Sequence, residues 1–171
     1  MGLASMLGYE FPRPNALHRA MRRFGGTRVG AWFFSKTLLR MDQWCRTLSK
    51  GRTSVPQLLA ALPVVFLTTT GRRSGQRRTS PLVGIPHGDD LAVLGTNFGQ
   101  EHPPAWALNL LAEPAASVEY RGVEVDVVAR VAGDDEAGLI WRTAEQVTPA
   151  YLAYRGRITT RDVLVFVLEP T

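Results

Sequence analysis

Val64-Val65-Phe66-Leu67-Thr68-Thr69-Thr70-Gly71-Arg72-Arg73-Ser74-Gly75-Gln76-Arg77-Arg78-Thr79-Ser80-Pro81-Leu82-Val83-Gly84-Ile85 holds two extended runs around a short polar break. Val64 to Thr69 is apolar and β-branched, the pattern of a buried strand. Arg72 to Gln76 is the turn, and Arg78 to Ile85 reads as a second strand. Strands joined by so short a break pair antiparallel. The same grammar continues outward. His87-Gly88-Asp89-Asp90 is a hairpin turn, and Leu91 to Thr96 is a third strand. Pro103-Pro104 opens a short helix through Leu111, proline being tolerated in a first turn. Ala116 to Arg121 and Val123 to Val131 form a hairpin around Gly122, and Val123, Val125, Val127, Ala129 and Val131 alternate as one buried face. Asp134-Asp135-Glu136 begins a helix to Val147, where acidic residues suit the helix dipole better than they suggest a metal. Thr148-Pro149 opens a further short helix with Tyr151 and Tyr154, and Val163 to Leu168 is the last strand. Hairpins without long crossovers imply a mainly antiparallel sheet of about six strands with a few helices. That is an α+β or β-barrel-like domain.

The 171 residues divide unevenly in charge. Residues 1–60 carry ten Lys and Arg against two Asp and Glu, while residues 61–171 carry ten against thirteen. The expected division is a basic helical extension over 1–60 and a folded domain over 61–171. The extension reads as one helix from Pro14 to about Phe24 and a second from Thr27 to about Ser49. Val29, Phe33, Phe34, Leu38, Met41, Trp44, Cys45 and Leu48 lie on one broad arc of the second helix. A solvated basic face and a contact with an anionic membrane surface through Trp32, Phe33 and Phe34 are both open readings. Nucleic acid is set aside, because no stacking platform accompanies the charge. The single cysteine, Cys45, suits a reducing compartment and excludes a disulfide framework. The start resembles neither a secretory signal nor a span, so a cytoplasmic location is expected.

Several chemistries lack their residues. There is no phosphate-binding glycine loop of the nucleotide-binding kinds, no nucleophile elbow, and no metal spacing among His18, His87 and His102. If the chain is an enzyme, a cofactor carries the chemistry. Two stretches then stand out. Around the Ser74-Gly75 turn, Arg72, Arg73, Arg77 and Arg78 sit among six hydroxyl residues. Arginine forks and glycine-exposed amides bind phosphate and carboxylate oxygens. An anion-binding hairpin and a solvated basic turn are both consistent with this composition. From Thr96 to Leu110, a strand end, a glycine loop and a helix start bring amides and Trp106 together. That could wall a flat conjugated ligand, or Trp106 could be plain core.

Together the stretches resemble one family. Thr-Thr-Thr-Gly-Arg-Arg-Ser-Gly, followed about thirty residues later by Pro-Ala-Trp-x-x-Asn-Leu-x-Ala-x-Pro, is similar to the deazaflavin-dependent nitroreductases, quinone-reductase-like enzymes that use coenzyme F-420. The resemblance implies a split β-barrel related to the FMN-binding oxidases. It also implies an 8-hydroxy-5-deazaflavin coenzyme with a phosphate and an oligoglutamate tail. On the matching positions, Arg72, Arg73, Ser74, Gly75 and Arg78 would hold the phosphate and tail. Thr96, Asn97, Ala105, Trp106 and Asn109 would line the ring. Tyr151 and Tyr154 would be the catalytic side chains, over the pocket of an electron-poor acceptor that receives hydride.

The chain departs from the family pattern at three places. Arg73 stands where lysine is usual, which keeps the charge. Thr148 and Val83 stand where some members carry tyrosines, so the resemblance points to quinones or enones rather than to bicyclic nitroimidazoles. A lipophilic quinone would also suit a peripheral position on an anionic membrane. Two other classes of function stay open on the residues alone: an FMN-binding split-barrel oxidoreductase, and a non-catalytic cofactor-binding protein docked on membrane.

Overall fold

A computed structural model of the chain describes residues 1–10, 27, 29 and 62–171. Its elements are helix α1 (Leu3–Met6), strands β1 (Val64–Thr70), β2 (Arg77–Val83), β3 (Ile85–His87) and β4 (Asp90–Leu94), helix α2 (Ala105–Ala112), strands β5 (Ala115–Tyr120) and β6 (Val123–Val131), helices α3 (Asp134–Val147) and α4 (Ala150–Arg155), and strand β7 (Val165–Pro170). A 3-10 turn at Asn97–Gly99 lies between β4 and α2. Apart from Thr27 and Val29, the basic helices expected between Pro14 and Ser49 lie outside the described residues, as does the boundary at residue 60.

The strands form one seven-stranded sheet in the order β2-β1-β5-β6-β7-β4-β3, and every pairing is antiparallel. β2 and β3 are therefore its two edges, yet only Gly84 separates Val83 from Ile85. A single residue spans under about 4 Å of chain per step, so the sheet must curl until its edges meet, which is the split-barrel form. The expected strand from Arg78 to Ile85 is thus two strands, and the sheet has seven rather than about six. The reason is local. Val64, the first residue of β1, pairs with Val83, so β1 has nothing left to offer Ile85, which pairs with Ala92 of β4 instead. At the seam the Gly84 N–H donates to the Pro63 carbonyl at 3.0 Å. A side chain on Gly84 would press on the Tyr9 ring and on Val65.

The curled sheet is covered on both faces. One cluster gathers Val65, Leu67, Leu91, Val93, Val118, Tyr120, Val127, Phe166 and Leu168 with Trp106, Ala107 and Leu110 of α2. The other gathers Ile85, Ala92, Leu94, Val165 and Val167 with Ile140, Trp141, Ala144 and Val147 of α3 and Tyr151 and Tyr154 of α4. Residues of β4 and β7 alternate between the clusters, which is why those strands are apolar throughout. Of the alternating positions of β6, Val127 and Ala129 are buried and Val125 is partly so, while Val123 and Val131 at the strand ends are exposed.

Residues 1–10 contribute to the first cluster. The Leu3 N–H donates to Asp90 Oδ1 and the Ala4 N–H to the Asp89 carbonyl. Leu3 and Leu7 are fully buried. Tyr9 lies against Tyr120, and its hydroxyl donates to the Gly84 carbonyl at 2.7 Å. Leu3→Ala should therefore cost about 2–5 kcal/mol, the usual range for emptying a fully buried leucine site. Met6→Ala, at an exposed position, should be near neutral. Urea midpoints of the two variants decide this, and equal midpoints would mean that the N-terminal segment adds nothing to the core.

Candidate active site

Four antiparallel pairings separate β1 from β4, so these two strands run in the same direction. The turn after β1 and the loop after β4 consequently lie toward the same end of the sheet. This parity brings together two sequence stretches that are about thirty residues apart.

The turn is built by its own backbone. The Gly71 N–H donates to the Gln76 carbonyl at 2.8 Å, and the Ser74 and Gly75 N–H groups donate to the Gly71 carbonyl. Gly75 takes φ +67° with nothing near its missing side chain, so here glycine serves the conformation. Asn109 clamps the turn to α2. Its Oδ1 accepts from the Arg72 N–H and its Nδ2 donates to Thr69 Oγ1, both at 3.1 Å. From Gly71 to Gln76, only the Arg73 N–H makes no hydrogen bond among the described residues.

The arginines divide by face. Arg77 pairs with Thr70 and Arg78 with Thr69, so successive side chains take opposite sides of β2. Arg77 reaches Ser117 Oγ at 2.8 Å, and that hydroxyl donates to Glu124 Oε1. Arg78 is on the side of Thr69 and Asn109, and among the described residues its guanidinium hydrogen-bonds only to Gln76 Oε1, at 3.3 Å. Arg72, Arg73 and Arg78 are exposed, and among the described residues none of them is paired with a carboxylate. Three unneutralised guanidiniums on one rigid turn fit a phosphate and a polyanionic tail.

The loop after β4 wraps the end of the sheet. Phe98 packs on the α3–α4 cluster, whereas Trp106 is buried in the other one, 6.0 Å from Phe166. Thr96 and Asn109 are buried, Asn97 is partly exposed, and Ala105 is exposed. Of the expected ring-lining residues, then, Trp106 packs on the core and Asn109 uses its amide to hold the turn. Asn97 donates from Nδ2 to the His102 carbonyl.

Two residues that sequence reading did not single out hold this loop in place. Arg161 Nη2 donates to the carbonyls of Gly95, Thr96 and Gln100, and burial lowers its pKa. Its Nε is buried without a partner among the described residues. Glu101 accepts four hydrogen bonds, from the N–H and the hydroxyl of both Thr159 and Thr160. These bonds, the Thr160 hydroxyl first, hold its carboxyl down at about 2. Neither residue belongs to a motif, because both act across about sixty residues of chain.

The tyrosines sit on the short helix α4, which Thr148 starts by accepting the Ala150 N–H. Tyr151 packs edge-on to Trp141 and to Tyr154, and Tyr154 edge-on to Phe98. Burial raises both phenols, Tyr154 to about 12, with the Arg157 guanidinium partly opposing it. At neutral pH both are hydrogen-bond donors. No group of metal-ligating side chains occurs among the described residues.

A family model described as F420H(2)-dependent quinone reductase matches residues 38–170. The chain belongs to this family. An F420H(2)-dependent quinone reductase of Mycobacterium tuberculosis is 29% identical over 134 residues, 77% of this chain and 89% of that protein. A solved F420-H2 dependent reductase (FDR-A) is similar at a TM-score of 0.57 and 31% identity, over 63% of this chain and 94% of that one. A structure described as a domain-swapped dimer is similar at a TM-score of 0.59 and 27% identity, over 74% and 98%. As a member of the F420H(2)-dependent quinone reductase family, the protein is an oxidoreductase. Its coenzyme is F-420, and it passes hydride from the reduced coenzyme to an electron-poor acceptor of the quinone kind.

The Glu101 clasp has a pH signature. Because its pKa is depressed in the fold, its contribution is complete above the ordinary value of 4.5 and is lost as pH falls toward about 2. Glu101→Gln should flatten part of the acid limb of stability across that window. Urea midpoints at stepped pH test this. Among the described residues Glu136, which the Arg130 hydrogen bonds and then His87 also lower to about 2, contributes to the same limb. An acid limb identical to wild type would show that the clasp does not stabilise the fold.

Proposed function

We propose that the turn from Gly71 to Arg78 is the site of the coenzyme's phosphate and tail, and that the acceptor binds near Tyr151 and Tyr154 at the same end of the sheet. The carboxylate-free arginine turn carries this reading. Arg72, Arg73 and Arg78 provide the charge, Ser74 and Gly75 shape the backbone around it, and Asn109 fixes the turn to α2. Thr96, Asn97 and Ala105 lie beside the ring, with Trp106 and Asn109 supporting that wall from behind. Bound there, the coenzyme supplies the hydride. The work of the chain is orientation, exclusion of water, and donors for the negative charge that develops on the acceptor. The phenols of Tyr151 and Tyr154 suit that last task because burial keeps them protonated.

Arg73→Ala and Arg78→Ala should each weaken binding of oxidised coenzyme F-420 by about ten- to a hundredfold, the worth of one charge-assisted contact. Arg77→Ala should chiefly lower stability, since its guanidinium holds Ser117. Fluorescence titration and thermal melting separate these effects, and an unchanged affinity in both Arg73→Ala and Arg78→Ala would move the anion site elsewhere.

The acceptor class favoured is a lipophilic quinone or an enone, taken up by a protein resting on an anionic membrane through its basic N-terminal third. The excess of ten Lys and Arg over two Asp and Glu in residues 1–60 supports this. No helix among the described residues is long and apolar enough to cross a membrane. Reversing Arg22, Arg23 and Arg28 to Glu, which leaves Leu3 and Leu7 in place, should abolish co-sedimentation with phosphatidylglycerol vesicles and spare coenzyme binding. Sedimentation that survives the reversal would refute the membrane contact.

A further inference from the structure

Phe98 takes φ 57° and ψ 26°, in the left-handed region. It stands between Asn97 at φ 46° and Gly99 at φ 79°. Glycine adopts this conformation freely and asparagine tolerates it, but a bulky aromatic residue there is an outlier. The surroundings impose it. Arg161 Nη2 grips the carbonyls of Thr96 and Gln100 on either side, and the Asn97 side chain is tied to the His102 carbonyl. A side chain at Gly99 would meet Arg157 and the Tyr154 backbone, so that position is closed. The strain therefore falls on the residue whose ring lies between the two halves of the site.

That ring packs edge-on to Tyr154 with centroids 6.1 Å apart, and Tyr154 to Tyr151 at 6.2 Å. Three aromatic rings thus run from the segment beside the coenzyme ring to the tyrosine helix. Phe98 is partly buried, packed against the α3–α4 cluster but not enclosed by it. Backbone strain retained at such a position indicates a use for the side chain.

We propose that Phe98 is a specificity-determining residue, forming an aromatic side wall of the acceptor pocket that selects flat, conjugated acceptors over small non-aromatic ones. The proposal rests on the placement of coenzyme and acceptor given above. A planar quinone offers a face to the Phe98 ring and polar edges to the tyrosines, whereas a small enone gains little from that wall.

The test compares full-length wild type, Phe98→Gly and Phe98→Leu with reduced coenzyme F-420, using menadione and 2-cyclohexenone as acceptors. Coenzyme affinity and Tm are measured in parallel. In Phe98→Gly the KM for menadione should rise roughly three- to tenfold, the worth of one aromatic pairing, with a smaller change in kcat. Its KM for cyclohexenone and its coenzyme affinity should stay as in wild type, while its Tm falls, because the packing lost on the Tyr154 side outweighs the backbone strain relieved. Phe98→Leu, which keeps bulk but not the ring, should show the same loss toward menadione. An unchanged menadione KM in Phe98→Gly overturns the proposal. So do equal losses toward both acceptors, or every property restored by Phe98→Leu, which would mark a packing residue. A loss of coenzyme affinity would place Phe98 in the coenzyme site instead. Wild type that binds the coenzyme yet reduces neither acceptor would bring down the functional reading first, and this one with it.

Discussion

Gly84 links the two outermost strands of a seven-stranded sheet, and no flat sheet can satisfy that link. The curl it enforces is stabilised from outside the sheet. The Tyr9 hydroxyl donates to the Gly84 carbonyl, and Tyr9 rests on Tyr120. Tyr120 in turn donates to the carbonyl of Glu10. The Tyr9 contact is tight against Gly84, where even a methyl group would press on Tyr9 and Val65. Burying Tyr9 beside Tyr120 also raises its pKa, burial being the larger cause, so the phenol remains a donor across the seam at any ordinary pH.

Curling leaves two faces to cover, and the candidate site lies where the coverings meet. The loop after β4 passes from the α3–α4 side at Phe98 to the α2 side at Trp106. It contains consecutive left-handed residues and would be costly to hold by itself. Arg161, from the segment after α4, offsets that cost by gripping the loop's carbonyls, and Glu101, within the loop, does so by accepting four donors from Thr159 and Thr160. Asn109 does the equivalent for the arginine turn. Three polar side chains thereby fix the relative position of turn, loop and tyrosine helix, which is what a transfer between two bound molecules requires. Arg72, Arg73 and Arg78 have no carboxylate partner among the described residues, on a chain with thirteen acidic residues beyond position 60. Elsewhere acids and bases do pair, as Glu136 does with both His87 and Arg130. The lack of pairing at the turn is therefore a local feature and not a shortage of carboxylates.

What was legible in the sequence was whatever depends on neighbours along the chain. The run Val64-Val65-Phe66-Leu67 reads as a buried strand, the hairpin around Gly122 follows from its turn residues, and the 134–147 helix from the acidic residues at its start. The arginine turn and the Pro-Ala-Trp segment carried the family. The break at Gly84 leaves no mark in the local pattern, because β2 and β3 run in the same direction on either side of it. Only the partner changes, and partners are not written in local pattern.

Function at the level of family was thus set by short-range chemistry: guanidiniums, hydroxyls and glycines at spacings that one turn and one helix start require. Tertiary structure alone decided that Arg77 and Arg78 take opposite faces, that Trp106 packs in the core and that Asn109 clamps the arginine turn to α2. It likewise placed Phe98 beside the tyrosines and gave Glu101 and Arg161 their roles. The physical reason is the same in each case. A hydrogen bond or ring contact across sixty residues is fixed by the register and curl of the sheet, and those are properties of the closed barrel, present in no single segment of the chain.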